Sequence, residues 1–201
     1  GLKLDNGAPV YTQEYIQSLR DADRKHPDRL KIVAQRGGQE RMLSINADIK
    51  IVGGSRGGSK SFSSLMEVLK DIKKPDFHAV IVRKEKDDLQ SLITDSYKLF
   101  SQFGTYNKSQ NDMTWNFTNG GWLKFSYYSG SFQDFKDRFQ GRQFAYICID
   151  EGTQCPYKKF KYLLTNNRNA AHIRNRFWIT CNPDPESWVR KFIDWWVDED
   201  G

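Results

Sequence analysis

The chain has 201 residues, a formal net charge of +6, 38% hydrophobic and 14% aromatic residues. That composition excludes a disordered or fibrous chain and is enough for one good core, while the basic excess is compatible with a polyanionic partner. No apolar run approaches the ~20 residues that span a bilayer, and the first residues, Gly1–Asn6, lack the apolar segment of a secretory leader.

Residues 11–30 are polar, with a short apolar stripe of Tyr15, Ile16 and Leu19 that predicts a partial helix interrupted by Pro27. Arg36-Gly37-Gly38-Gln39-Glu40 reads as a turn or loop, followed by Met42, Leu43 and Ile45. Ile49, Ile51 and Val52 form a short strand that feeds Gly53-Gly-Ser-Arg-Gly-Gly-Ser-Lys-Ser61. Beyond Lys60, Phe62, Leu65, Met66, Leu69 and Ile72 fall on one face of a helix, ended by Lys73-Lys74-Pro75-Asp76. His78–Arg83 reads as a second buried strand. Residues 86–102 read as a helix with Leu89, Leu92, Ile93, Leu99 and Phe100 inward.

Alternating aromatics around Asn119-Gly120 signal a hairpin over 115–125. Residues 129–143 are polar around Phe132, Phe135 and Phe139. The continuous apolar runs Phe144–Ile149 and Arg176–Cys181 fit central parallel strands. Strands alternating with helices predict an α/β fold. It is a doubly wound, mainly parallel sheet flanked by helices, with a β-hairpin insertion near 115–127. Cys148, Cys155 and Cys181 are odd in number without metal-ligand spacing, which fits a reducing compartment, and His26, His78 and His172 are scattered.

Three segments carry chemistry. The strand, glycine loop and helix around 49–72 have the order of a phosphate-binding loop. Its backbone N–H groups and the positive end of the helix converge on an anion. Within it, Gly54, Ser55, Arg56, Gly57, Gly58 and Ser59 form the cradle. Lys60 adds charge at the β- and γ-phosphates, and the Ser61 hydroxyl holds Mg²⁺. Ser59 stands where the usual pattern has glycine, and a flexible Gly/Ser loop is the plainer alternative. Second, Asp150-Glu151 ends a buried strand, where ligands of open α/β sheets bind. Asp150 would hold Mg²⁺ and Glu151 would act as general base on water, which points to nucleoside triphosphate hydrolysis. Third, Thr180-Cys-Asn182-Pro183 ends another strand. Asn182 could sense a γ-phosphate, although taken alone the Asn-Pro pair reads first as a strand-ending turn. Two other functions fit these segments: another P-loop NTPase such as a helicase-like DNA-dependent ATPase or a kinase-like enzyme, and a nucleotide-binding interaction module without turnover.

In combination, Gly53–Ser61, Gly141-Arg142, Ile149-Asp150-Glu151, Thr180–Pro183 and the Trp188-Val189 stretch resemble the ATPase domain of the large terminase subunit, the DNA-packaging motor of tailed bacteriophages. The resemblance runs from about Gln39 to Trp196. It implies a P-loop NTPase of the ASCE type, with ATP as substrate and Mg²⁺ as cofactor. A single ATPase domain would cover 1–201, with a helical, adenine-side segment at 1–45 and a core at 46–197. The family's nuclease domain would be absent, so no DNA cleavage is expected. By the same resemblance, Arg56 is an arginine finger in cis, Gln39 reads adenine, and Asn182 with Thr180 couples hydrolysis to movement. A trans-acting arginine could be Arg83, Arg138, Arg142 or Arg168. The implied partners are double-stranded DNA, bound without sequence preference, the small terminase subunit, the portal protein and other copies in a ring. The implied location is the cytoplasm of the bacterial host, with no membrane association. Lys158, Lys159, Lys161, Arg174 and Arg176 are the expected grip on DNA phosphates.

Overall fold

The structure, a computed structural model, describes residues 34–35, 37–54, 59–109, 112–182 and 184–193. The chain divides into two compact units, Gly1–Asn46 and Ala47–Gly201. The partial helix expected within 11–30 lies outside the described residues.

In the first unit the described element is α1 (Gly38–Ser44). This corrects the loop expected at 36–40. Gln39, Glu40, Arg41, Met42 and Leu43 are all good helix formers, and Arg41 N–H closes the first turn on Gly37 O at 3.0 Å.

The second unit is built on one seven-stranded sheet. In chain order its elements are β1 (Ile49–Val52), α2 (Ser59–Val68), β2 (His78–Arg83), α3 (Leu89–Phe100), β3 (Gly104–Asn107), β4 (Thr114–Phe117), β5 (Trp122–Tyr127), α4 (Phe132–Phe139), β6 (Tyr146–Ile149), α5 (Tyr157–Asn166), β7 (Arg176–Thr180) and α6 (Trp188–Ile193). The spatial order is β1-β7-β6-β2-β5-β4-β3. The first five are parallel, and β4 and β3 close the sheet as an antiparallel edge. The hairpin expected near 115–127 is therefore part of the main sheet: β5 pairs with β2 along its full length, from His78↔Trp122 to Arg83↔Tyr127. No helix among the described residues is long and apolar enough to cross a membrane.

Alternation along the strands assigns residues to the two faces. Val80, Val82, Ile147, Ile149, Phe177 and Ile179 pack in one core cluster with Phe135 and Phe139 of α4, Phe160 and Leu163 of α5, and Val189 of α6. The opposite face carries Lys50, Arg83, Tyr146, Cys148, Asp150, Arg176, Trp178 and Thr180, and it meets α2 through Tyr146, whose hydroxyl donates to Ser64 O at 2.9 Å. α4 starts with a reciprocal cap, Ser131 and Asp134 each bonding the other's backbone N–H.

The register aligns the strand ends. Val52 faces Thr180, Ile149 faces Ile179, and Val82 faces Ile149. The carboxyl ends of β1, β7, β6 and β2 are thus level, and the segments that follow them share one rim.

Candidate active site

Lys60 lies in the first turn of α2, and its ammonium reaches over the rim. Nζ donates to Gly54 O at 2.7 Å and to Asn182 Oδ1 at 3.2 Å. The residue that follows the β1 rim and the one that follows the β7 rim are therefore tied by one cation. Gly54 has φ 130, a conformation that costs a side-chain-bearing residue dearly. Ser61, one residue along α2, donates to the Asp150 carboxylate, 2.9 Å from Oδ1 and 3.0 Å from Oδ2.

Asp150 is fully buried at the end of β6. A carboxylate without water needs compensating donors and positive charge. Besides Ser61 it has two. Thr180 Oγ1 donates to Oδ1, and Arg83 Nε donates to Oδ2 at 2.6 Å. Thr180 faces Asp150 because both lie on the α2 side of the sheet, in adjacent strands.

Glu151 turns into the left-handed region, φ 59 and ψ 45. That conformation is uncommon for glutamate, and both of its backbone polar groups are held. Its N–H donates to Thr180 Oγ1 at 3.1 Å, and its carbonyl accepts from the Tyr128 hydroxyl at 3.2 Å. Burial first, with Cys155, Glu151 and Asp150 adding to it, pushes the Tyr128 phenol well above its usual range, so it stays a donor. The turn continues through Gly152, where a Cβ would lie 2.3 Å from Ile179 Cγ2. The chain can leave β6 that close to β7 only without a side chain. The Glu151 carboxylate is left half-buried, with Gln154 Nε2 3.5 Å from Oε2.

The structure brings Lys60, Ser61, Asp150, Glu151, Thr180 and Asn182 to one rim. Ser59 starts α2 and its carbonyl accepts from the Ser63 hydroxyl at 2.5 Å. Ser55, Arg56, Gly57 and Gly58 lie outside the described residues, as does Pro183. Gln39 belongs to the first unit, where it is buried in α1 and its Oε1 accepts from Gln35 N–H at 2.8 Å.

Two of the cations expected to grip DNA, Lys159 and Arg176, are buried instead. Arg176 does not face DNA. It is buried, with Nε 2.9 Å from Glu67 Oε1 and Nη1 bonded to Asp71. The Glu67 contact is an ion pair without hydrogen-bond alignment. Lys159 is 6% exposed and donates to Tyr128 O at 2.6 Å and Gly130 O at 2.7 Å, bracing the segment before α4. Arg174 pairs with Asp48 at 2.8 Å. Lys158 and Lys161 are exposed and lie over Phe132 and Tyr157. Of the arginines considered for action in trans, Arg83 belongs to this chain's own site. Arg138 donates to Tyr127 O at 3.3 Å and Ser129 O at 2.7 Å, whereas Arg142 and Arg168 are exposed. Arg83 and Tyr128 were not assigned these places from sequence. Arg83 ends a strand that the apolar run does mark, so position alone could have suggested it.

Known structures share this arrangement of strands and helices. The large terminase of a thermophilic bacteriophage superposes with a TM-score of 0.64 at 17% identity, covering 82% of this chain and 44% of that one. A crystal form of the same protein in complex with ADP gives a TM-score of 0.58 at 19% identity, covering 77% and 40%. The Thermus phage P74-26 large terminase ATPase domain gives 0.60 at 11% identity, covering 92% of this chain and 74% of the domain. The chain thus spans less than half the length of the full-length terminase it matches. No curated protein matches its sequence. At these identities the structural likeness establishes the fold. A family model, large terminase subunit, T4likevirus-type, N-terminal, matches residues 51–201, three quarters of the sequence, and the chain belongs to that family.

Proposed function

We propose that this chain binds ATP with Mg²⁺ at the rim of β1, β6 and β7 and hydrolyses it to drive double-stranded DNA into a procapsid. The observation that carries the reading is the convergence of Lys60, Ser61, Asp150 and Asn182 from three separate segments, with Ser61 Oγ 2.9 Å from Asp150 Oδ1 and Lys60 Nζ 3.2 Å from Asn182 Oδ1. The start of α2 offers N–H groups suited to an anion, and hydroxyl and carboxylate oxygens together suit a hard cation. Ser61 and Asp150 are thus a fitting donor pair for Mg²⁺, which when bound would neutralise charge on the β- and γ-phosphate oxygens.

The chain's own residues then divide the work. Lys60 exchanges Gly54 O and Asn182 Oδ1 for phosphate oxygens. Asn182 is released by that exchange, which gives it a way to report whether a γ-phosphate is present. Glu151, held by Thr180 and Tyr128, presents its carboxylate to a water and takes its proton. Arg56 would neutralise transition-state charge in cis, and Gln39 would recognise adenine, both by the family resemblance. The ADP complex of the thermophilic phage protein supports nucleotide as the ligand class. The small terminase subunit, the portal protein and further copies in a ring are the partners proposed, in the host cytoplasm.

The test is phosphate release by the chain and its Glu151→Gln variant, with and without double-stranded DNA, alongside calorimetric binding of Mg–ATP. Turnover should fall by roughly 100-fold or more while binding is kept, as removal of a general base dictates. Turnover unchanged in Glu151→Gln would remove the assignment. Transfer of phosphate to an acceptor other than water would make the chain a kinase-like enzyme instead.

A further inference from the structure

Arg83 ends β2 at the same rim, with its side chain 13% exposed. Nε donates to Asp150 Oδ2 at 2.6 Å, and Nη2 lies 3.4 Å from Ser61 Oγ. Nη1 points the other way, donating to Asp88 O at 2.7 Å and Ser91 Oγ at 3.0 Å. Asp88 precedes α3 and Ser91 lies in its first turn. One guanidinium therefore joins the two groups read above as cation donors to the start of a neighbouring helix.

The electrostatics define its role. A fully buried carboxylate carries a large desolvation cost, and among the described residues Arg83 is the positive group paired with Asp150. A divalent cation shared by Ser61 and Asp150 would place a second positive centre on the same carboxylate. Two such centres within a few ångströms repel strongly at the low effective dielectric of a protein rim. The planar fork of Arg83 can hold Asp150 and α3 together only while Oδ2 is available to it.

We propose that Arg83 is a resident substitute for the cation. It neutralises Asp150 while no nucleotide is bound, yields Oδ2 when a divalent cation is taken up, and transmits the exchange to residues 84–91 through Asp88 and Ser91. The proposal rests on the reading of Ser61 and Asp150 as the cation-holding pair. Arg83 is on this view a positioning residue that reports site occupancy to α3.

Mn²⁺ binding followed by electron paramagnetic resonance tests it, using this chain without nucleotide. Arg83→Gln removes the competing charge and should bind Mn²⁺ about tenfold tighter than the unaltered chain. Arg83→Lys keeps the charge and should stay within about threefold. A purely structural Arg83 that preorganises Asp150 gives the opposite sign, so Mn²⁺ binding that is unchanged or weaker in Arg83→Gln overturns the proposal. Should that variant fail to fold, hydrogen exchange in the unaltered chain decides. Faster exchange of the amides of 84–91 with Mg–ADP supports the substitution, and unchanged exchange there overturns it. Mn²⁺ that fails to bind the unaltered chain even with ATP overturns the cation reading and this proposal together. Mn²⁺ that binds with ATP but is indifferent to Arg83 overturns this proposal alone.

Discussion

Thr180→Val is the sharpest perturbation available, because one buried hydroxyl serves both acidic residues of the rim, Asp150 through its carboxylate and Glu151 through its backbone N–H. Thr180 is 2% exposed, donates to Asp150 Oδ1 and accepts from the Glu151 N–H at 3.1 Å. Valine keeps the shape and the strand preference and removes both bonds. The lost bond to an ionised acceptor is worth about 1.5–3 kcal/mol, and an N–H left buried and unpaired costs about 1–3 kcal/mol. The added buried methyl returns about 0.8 kcal/mol. The net loss is therefore about 2–5 kcal/mol, read as a lower urea midpoint at unchanged slope. Thr180→Ser keeps the hydroxyl and should recover most of it. Turnover should fall in the valine variant beyond what stability explains, because Glu151 loses a support for its left-handed backbone. A valine variant within about 0.5 kcal/mol of the unaltered chain, the range of an ordinary surface change, would refute this account of the rim.

Further outcomes follow from the same packing. Gly152→Ala places a Cβ 2.3 Å from Ile179 Cγ2 and should cost about 1–3 kcal/mol in urea unfolding while slowing phosphate release, since Glu151 must shift with it. Arg176→Met leaves Glu67 and Asp71 short of a buried partner and should cost about 3 kcal/mol. Lys74→Met, whose side chain is 52% exposed in its pair with Asp71, should cost less than about 1 kcal/mol, and equal losses would contradict the burial argument. Burial lowers Lys50 from 10.5 to about 8, against the pull of Glu67. Below that folded value the ammonium is charged in both states and its burial cost, on the order of 3 kcal/mol, is fully present. The cost is relieved as pH rises from about 8 toward 10.5, where the unfolded chain binds the extra proton. The stability of Lys50→Met relative to the unaltered chain should therefore be greatest near neutral pH and shrink by pH 10. A pH-independent difference would exclude Lys50 as the titrating group.

What the sequence made legible is local. The run Ile49–Val52 and the spacing Phe62, Leu65, Met66 specify a strand and a helix by period alone, and the apolar run before Asp150 specifies a buried strand with an acid at its end. The helix ends at Val68, earlier than the apolar spacing implies: Leu69 and Ile72 lie in the turns after it, and Ile72 is still buried there, so apolar spacing alone does not mark where the helix stops. Alternation along β6 and β7 then puts Asp150 and Thr180 on one face, a step that sequence permits once the neighbours are known. The placement of the buried charges escapes the sequence for a physical reason. Lys159 and Arg176 count as surface cations in a composition, yet backbone carbonyls and the Glu67–Asp71 pair take them into the interior, and only the fold supplies those partners. Arg83 was legible as a strand end but not as the partner of Asp150, because 67 residues separate them and their contact is made by the β2–β6 register. The helix α4 had a visible start, Ser131 and Asp134 in capping-box spacing, that a reading by hydrophobic period passes over.

The central claim is that one rim holds a Mg–nucleotide for hydrolysis, and a crystal structure of this chain with Mg–ATPγS tests it most directly. The account predicts the β- and γ-phosphates within hydrogen-bond reach of Lys60 Nζ, the metal between Ser61 Oγ and Asp150, and the Glu151 carboxylate facing the γ-phosphorus across a water. Nucleotide lodged elsewhere, for example in the open groove lined by Lys86, Tyr97, Tyr106 and Lys108, with Lys60 still on Gly54 O and Asn182 Oδ1, would contradict it.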